Sequence, residues 1–333
     1  MAKIDEEKKV RIGALIIFAI ASFILIFLAV RGAKEDEQEK YNMVLIPKTI
    51  DKGNGFWTSL TDGAILAAKE YGVELQVEGG RSEQDLKGQI QRIEKAIEKK
   101  PDAILVAPCS YSDMTDILQE VVDNDIKLVL IDSVIEKDIS QGIVATDNYL
   151  AGKQLGEYAS RYLNQEDEIA IIAHVQGAST AIERQEGIIA GLKDYKDNIV
   201  TTDYCGSSYD VAYNLTKEII EDNPDVNVVF GTNEYASVGA ARAVKEMGKK
   251  GEVKVFGFDN SIEEIKLLEE GIFEAIIIQK PFNMGFLGVE KAVDIIDGEK
   301  IEDYTDSGCR LIDKNNMYKE ENQRLLYPFT GQK

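Results

Sequence analysis

The feature that most restricts this chain is a repeated alternation of short apolar runs with longer amphipathic stretches, starting at Asn42. NMVLIP (42–47) reads as a strand, and the glycine-bearing loop DKGNGFW follows it. Leu60, Ala64, Ala67 and Tyr71 then fall at helical spacing. VELQVE (73–78) is a second strand, and Leu86, Ile90, Ile93 and Ile97 form the apolar face of a second helix, which Pro101 helps to end. AILVA (103–107) is almost continuously apolar, as suits a strand buried on both faces of a parallel sheet. A helix around Ile117 and Val121 leads to KLVLI (127–131) and then to GIVATDN (142–148). The order then restarts with EIAIIAH (168–174), IVTTDY (199–204), VNVVFGTN (226–233), VKVFGFD (253–259) and EAIIIQ (274–279). Helical stretches begin near Ser179 and after Tyr209. Strands alternating with helices of this length predict βαβ units and parallel sheets. Two successive sets predict two doubly wound α/β lobes. One further helix (about 282–297) and a final segment, TDSGCRLID (305–313), must return to those lobes through short connections.

In open parallel sheets, ligands lie outside the carboxyl ends of the strands. The runs ending at Asp259 and Gln279 each finish on one polar side chain, which predicts a binding crevice there. A formal net charge of −21 argues against nucleic acid, whose phosphates need a basic surface. The single histidine, His174, excludes a multi-histidine metal site and reads as a strand-end residue near the core. Cys109, Cys205 and Cys309 show no metal spacing. No metal or cofactor is expected. The odd cysteine count leaves at least one thiol free or paired between chains, and a Cys205–Cys309 bridge is open to a chain outside the cell. No GxGxxG follows the first strand, and there is no P-loop or GxSxG, so no enzyme is predicted.

Residues 12–30 (IGALIIFAIASFILIFLAV) carry no charge. At about 1.5 Å rise per residue, such a run just spans a bilayer's hydrocarbon. Arg31 spoils the likeliest cleavage site after it, and no cysteine nearby offers a lipid anchor. The reading is a short cytoplasmic terminus (1–11), an uncleaved signal anchor (12–30) and a charged spacer (31–41). It predicts a single-pass cell-membrane protein with its soluble domain on the extracytoplasmic side.

Seven marks occur in order: NGFW (54–57), VAPCSYSD (106–113), VATDN (144–148), ERQEG (183–187), FGTNEYASVGAARAV (230–244), FGFDNS (256–261) and IIIQKP (276–281). With these marks the chain resembles the type I periplasmic binding proteins, in the ribose- and galactose-binding branch of ABC-importer receptors. The resemblance covers about residues 42–315. It implies two Rossmann-like lobes joined by three chain crossings, with ligand held in the cleft by hinge closure. The crossings fall near Thr146–Asp147, Gln279–Pro281 and Thr305–Gly308, which makes Thr146, Asp147, Lys280 and Pro281 hinge residues. Lobe one is then 42–146 plus 282–306, and lobe two 147–280 plus 307–325. The implied function is capture of a small neutral sugar or sugar-like ligand for an ABC permease. A ligand-sensing partner of a membrane histidine kinase is the alternative, and a sugar-active enzyme a remote one.

The resemblance also assigns residues. Asn54 matches a loop residue that hydrogen-bonds sugar hydroxyls. Phe56 and Trp57 match an aromatic pair that stacks on the sugar, although both also fit ordinary helix-start core. Tyr209 matches the second lobe's aromatic, and Asn233, Asp259 and Gln279 match strand-end polar ligands. Asp259 has a rival role as a helix N-cap. Ser110 stands where the ribose branch places a carboxylate, and Ile182 where it places an arginine. Arg184 lies about 200° further round the helix from Ile182 and is not expected to replace that arginine.

Overall fold

The computed structural model describes residues 41–327. Their strands, in chain order, are β1 (Tyr41–Ile46), β2 (Val73–Val77), β3 (Ala103–Val106), β4 (Lys127–Ile131), β5 (Gly142–Ala145), β6 (Glu168–Ala173), β7 (Ile199–Tyr204), β8 (Val226–Gly231), β9 (Lys254–Phe258), β10 (Phe273–Gln279), β11 (Tyr304–Asp306) and β12 (Cys309–Asp313). They form two six-stranded sheets, ordered β11-β5-β4-β3-β1-β2 and β12-β10-β9-β8-β6-β7. The two orders correspond strand for strand. Every pairing is parallel except β10 with β12. The segment read as one tail over 305–313 is therefore two strands, one closing the edge of each sheet.

The apolar runs behave as strands buried on both faces. All four residues of β3 are buried. On one face Leu45, Leu105, Val129 and Ile131 join a core with Trp57, Leu60, Ala64, Met284 and Val289. On the other, Val44, Ile46, Ile104, Val106 and Leu128 pack with Ile93, Leu118 and Val121. Each such aliphatic side chain contributes roughly 1.5–3 kcal/mol by leaving water. The helix Pro281–Asp297 follows a lobe-two strand, yet packs against Gly55–Tyr71 of lobe one. Two glycines permit that contact. A Cβ on Gly63 would stand 2.0 Å from Phe282 O, and one on Gly285 1.9 Å from Leu60 O.

The chain crosses between lobes three times: after β5, after β10 and between β11 and β12. The crossings lie against one another. Thr146 Oγ1 is 3.2 Å from Ser307 Oγ, and Asp147 N–H donates to Asp306 Oδ1 at 3.3 Å. Lys280 is the N-cap of Pro281–Asp297, and Pro281 takes the first helical turn, where its missing N–H costs nothing.

One expectation changes here. Cys205 directly follows β7 and Cys309 opens β12, so they lie at opposite edges of one sheet. Five strand spacings of about 4.8 Å place them roughly 24 Å apart, which rules out a bridge. All three cysteines are free. The run at 12–30 lies outside the described residues. Among the described residues no helix is long and apolar enough to cross a membrane. The longest two have 17 residues each. That length reaches roughly 26 Å, short of a hydrocarbon core of about 30 Å.

Candidate functional site

A small pocket lies between the lobes, at the carboxyl ends of both sets of strands. Lobe one lines it with Lys48, Asn54, Phe56, Trp57, Glu83 and Asp132. Lobe two contributes His174, Thr180, Arg184, Asn233, Asp259 and Gln279. The structure thus gathers Asn54, Phe56, Trp57, Asn233, Asp259 and Gln279. It does not bring Ser110 or Tyr209 into that space. Ser110 faces a neighbouring cleft with Cys109 and Cys205, and its Oγ donates to Asp113 at 2.7 Å. Tyr209 lines an outer groove, where its hydroxyl donates to Glu234 and its ring lies 4.6 Å from that of Tyr235.

Both asparagines are helix caps. Asn54 Oδ1 accepts Trp57 N–H at 3.1 Å, and Asn233 Oδ1 accepts Ala236 N–H at 3.0 Å. Such caps are worth about 1 kcal/mol each. Each amide also offers its NH₂ group to other partners. Asn233 Nδ2 also donates to Ser207 Oγ at 3.1 Å. Asp259 is not a cap, because Ser261 caps the helix Ile262–Glu270 with Glu264 in a capping box. Asp259 instead accepts Glu234 N–H at 2.9 Å and Gln279 Nε2 at 2.7 Å. That bond turns the other end of the amide free: Gln279 Oε1 is buried without a hydrogen-bond partner. Such an orphan acceptor costs about 1–3 kcal/mol unless something donates to it. Phe56 and Trp57 sit edge to face with ring centroids 5.0 Å apart, and both belong to the lobe-one core as well as to the pocket wall.

Six lining residues were not among the expected ligand contacts: Lys48, Glu83, Asp132, His174, Thr180 and Arg184. Lys48 Nζ pairs with Asp132 at 2.8 Å, both buried, and reaches Thr180 Oγ1 of lobe two at 3.3 Å. Thr180 Oγ1 is 2.8 Å from His174 Nε2, and His174 Nδ1 is 2.8 Å from Thr232 Oγ1. Burial, with Arg184 and Lys48 nearby, holds His174 well below its ordinary pKa and therefore neutral. Glu83 accepts Trp57 Nε1–H at 2.6 Å and the Ser207 hydroxyl of lobe two. Burial pushes its carboxyl up, against the pull of Lys48. Asp259 is raised by burial too, with Arg184 opposing.

Arg184 corrects the helical-wheel expectation. It is buried, its Nε donates to Asn148 Oδ1 at 2.8 Å, and its Nη1 donates to Thr232 O at 2.7 Å. Its guanidinium lies 4.6 Å from the centroid of the Phe258 ring. The buried stripe along this helix runs through Thr180, Arg184, Gly187 and Gly191, and Ile182 is not in it. For Asp132 and His174 the signal was the strand-end rule that singled out Asp259. Asp132 and Asp259 end corresponding strands, and both have left-handed backbone, φ +67° and +82°. Non-glycine residues adopt that region at a cost of roughly 1–3 kcal/mol, typically where a site fixes them.

The profile of the family described as "Periplasmic binding protein domain" matches residues 44–300. The ribose import binding protein RbsB of Haemophilus influenzae is 28% identical over 284 residues, covering 85% of this chain and 94% of that protein. A crystal structure of a sugar transporter from Clostridium phytofermentans is similar with a TM-score of 0.79 and 42% identity, covering 83% of this chain and all (100%) of that one. An ABC transporter solute binding protein from Agrobacterium vitis, with bound D-fucose, gives a TM-score of 0.82 at 30% identity and covers 86% of this chain and 100% of that one. The family match overturns the predicted single-pass membrane localisation, since it places the chain among periplasmic binding proteins.

Proposed function

The chain belongs to the periplasmic binding protein domain family, and from that premise we propose that it captures a small neutral sugar or sugar-like ligand between its lobes for an ABC importer. The observation that carries this reading is the unpartnered Gln279 Oε1, buried beside Asp259 in a pocket walled by Phe56 and Trp57. A sugar ring suits that arrangement. Its C–H face packs on aromatic rings while its hydroxyls donate to the amide oxygen and the carboxylate. The NH₂ groups of Asn54 and Asn233 and the spare donors of Arg184 would serve hydroxyl oxygens. The hinge reading of Thr146, Asp147, Lys280 and Pro281 belongs to the same proposal. Ligand touching both lobes selects the closed state, because only that state offers all its contacts.

No chemistry is performed on the ligand. The sensing alternative finds no support in these relatives, whose names are those of transport proteins. The test is a thermal-shift screen of pentoses, hexoses and inositols, followed by calorimetry on each hit. At least one neutral sugar should raise the melting temperature with one-to-one stoichiometry and be recovered unchanged. A panel without a single shift would overturn the reading, and turnover of a bound sugar would restore the enzyme.

A further inference from the structure

We propose that Glu83 is a positioning residue: by drawing Ser207 across the cleft, it orients the Asn233 amide toward the sugar as the lobes close. The proposal rests on the sugar-binding reading above. Three hydrogen bonds carry it, and they join end to end. Trp57 Nε1–H donates to Glu83 Oε1 at 2.6 Å, the Ser207 hydroxyl donates to Glu83 Oε2, and Asn233 Nδ2 donates to Ser207 Oγ at 3.1 Å. The two oxygens of one buried carboxyl group therefore accept from different lobes. The relay begins at an aromatic wall of the pocket in lobe one and ends at a polar wall in lobe two.

The direction of the relay is fixed at both ends. An indole N–H only donates. Asn233 Oδ1 accepts Ala236 N–H as the cap of the helix Glu234–Glu246, so the NH₂ group is the end that meets Ser207. One of its hydrogens goes to Ser207, and the second serves a hydroxyl oxygen of the sugar. Hydrogen bonds in a chain polarise one another, so the Glu83 carboxyl group at one end strengthens the Asn233 donor at the other. The segment that carries Ser207 is held in place from both lobes. Gly206 and Ser207 both have left-handed backbone, φ +60° and +54°. A serine seldom adopts that region, and does so typically where a site fixes it. Gly206 N–H donates to His174 O at 2.6 Å, which ties the segment to the end of β6. From lobe one, Gln84 Nε2 donates to Gly206 O. A Cβ on Gly206 would stand 1.9 Å from that nitrogen, so a side chain there would push Gln84 away.

Opening the lobes parts Glu83 and Gln84 from Gly206 and Ser207. Ser207 then loses its acceptor, its hydroxyl turns freely, and Asn233 loses a fixed partner. Closure thus completes the sugar contact at Asn233, although Glu83 reaches Asn233 only through Ser207. Trp57, the only tryptophan, reports on the same carboxyl group from the other end of the relay.

The test measures D-ribose, D-arabinose and D-fucose affinities by calorimetry in a set of variants. Ser207→Ala, which removes one exposed-side hydroxyl and no core atom, should weaken the sugar that binds about tenfold. In a Glu83→Gln background, where one oxygen is left for two donors, the same substitution should cost less than about threefold. It should also cost less than about threefold in an Asn233→Ser background, which keeps the helix cap but lacks the amide. Unchanged affinity in Ser207→Ala overturns the proposal, as does a full tenfold loss in either background. A loss that persists in Asn233→Ser would make Ser207 a latch between lobes rather than part of a relay to the sugar. Should none of the three sugars bind, the sugar reading fails, and Trp57 emission of the sugar-free protein decides the relay by itself. Ser207→Ala, a lobe-two substitution, should then shift the emission of this lobe-one residue, and an unchanged spectrum contradicts the relay.

Discussion

A single buried oxygen, Gln279 Oε1, sets a condition on what the pocket can hold, because only a hydrogen-bond donor relieves it. Gln279→Glu should weaken sugar binding at least tenfold, since it puts a second carboxyl against Asp259, and competition calorimetry measures this. The Lys48–Asp132 pair makes a different demand. Lys48→Met should cost about 3–5 kcal/mol in chemical denaturation, because it leaves Asp132 buried and uncompensated. His174 supplies a pH signature. Its native pKa lies well below its unfolded value, so the unfolded chain takes up a proton that the native one refuses. Stability should fall as pH drops below about 6.5, and denaturation curves of His174→Gln should show a shallower fall. Some of these residues were legible in the chain, since Asp259 and Gln279 each end an apolar run. Arg184 was not: the wheel was phased on Ile182, whereas the buried stripe runs through Thr180 and Arg184. Ser110 was misplaced because its local bond to Asp113 turns it to the neighbouring cleft.

At the scale of elements, the strands were readable because burial on both faces leaves continuous apolar runs such as β3. Which lobe the helix Pro281–Asp297 joins was not written in its periodicity. It depends on backbone contact at Gly63 and Gly285, and a glycine carries no hydrophobic signal. Gly285→Val should therefore separate this helix from Gly55–Tyr71. The expected loss is at least about 2 kcal/mol, or several degrees of melting temperature, by calorimetric scanning. The pairing of β12 against β10 was equally hidden, since an antiparallel edge strand has the same composition as a parallel one.

For the whole molecule, corresponding strand orders place Asp132 and Asp259 at equivalent points of two sheets that face each other across the pocket. Both lobes thus direct one strained aspartate toward a shared space, and three adjacent crossings hold the lobes together behind it. Trp57, the only tryptophan, donates to Glu83, which in turn accepts Ser207 of the other lobe. Its emission should shift when a sugar enters and repacks that contact. The most direct measurement is calorimetry of the wild type and of Asp259→Ala with whichever neutral sugar gives the largest thermal shift. Saturable one-to-one binding in the wild type, weakened by about 2–4 kcal/mol in Asp259→Ala, is the predicted result. Equal affinity in the two proteins would remove Asp259 from the site and contradict the account.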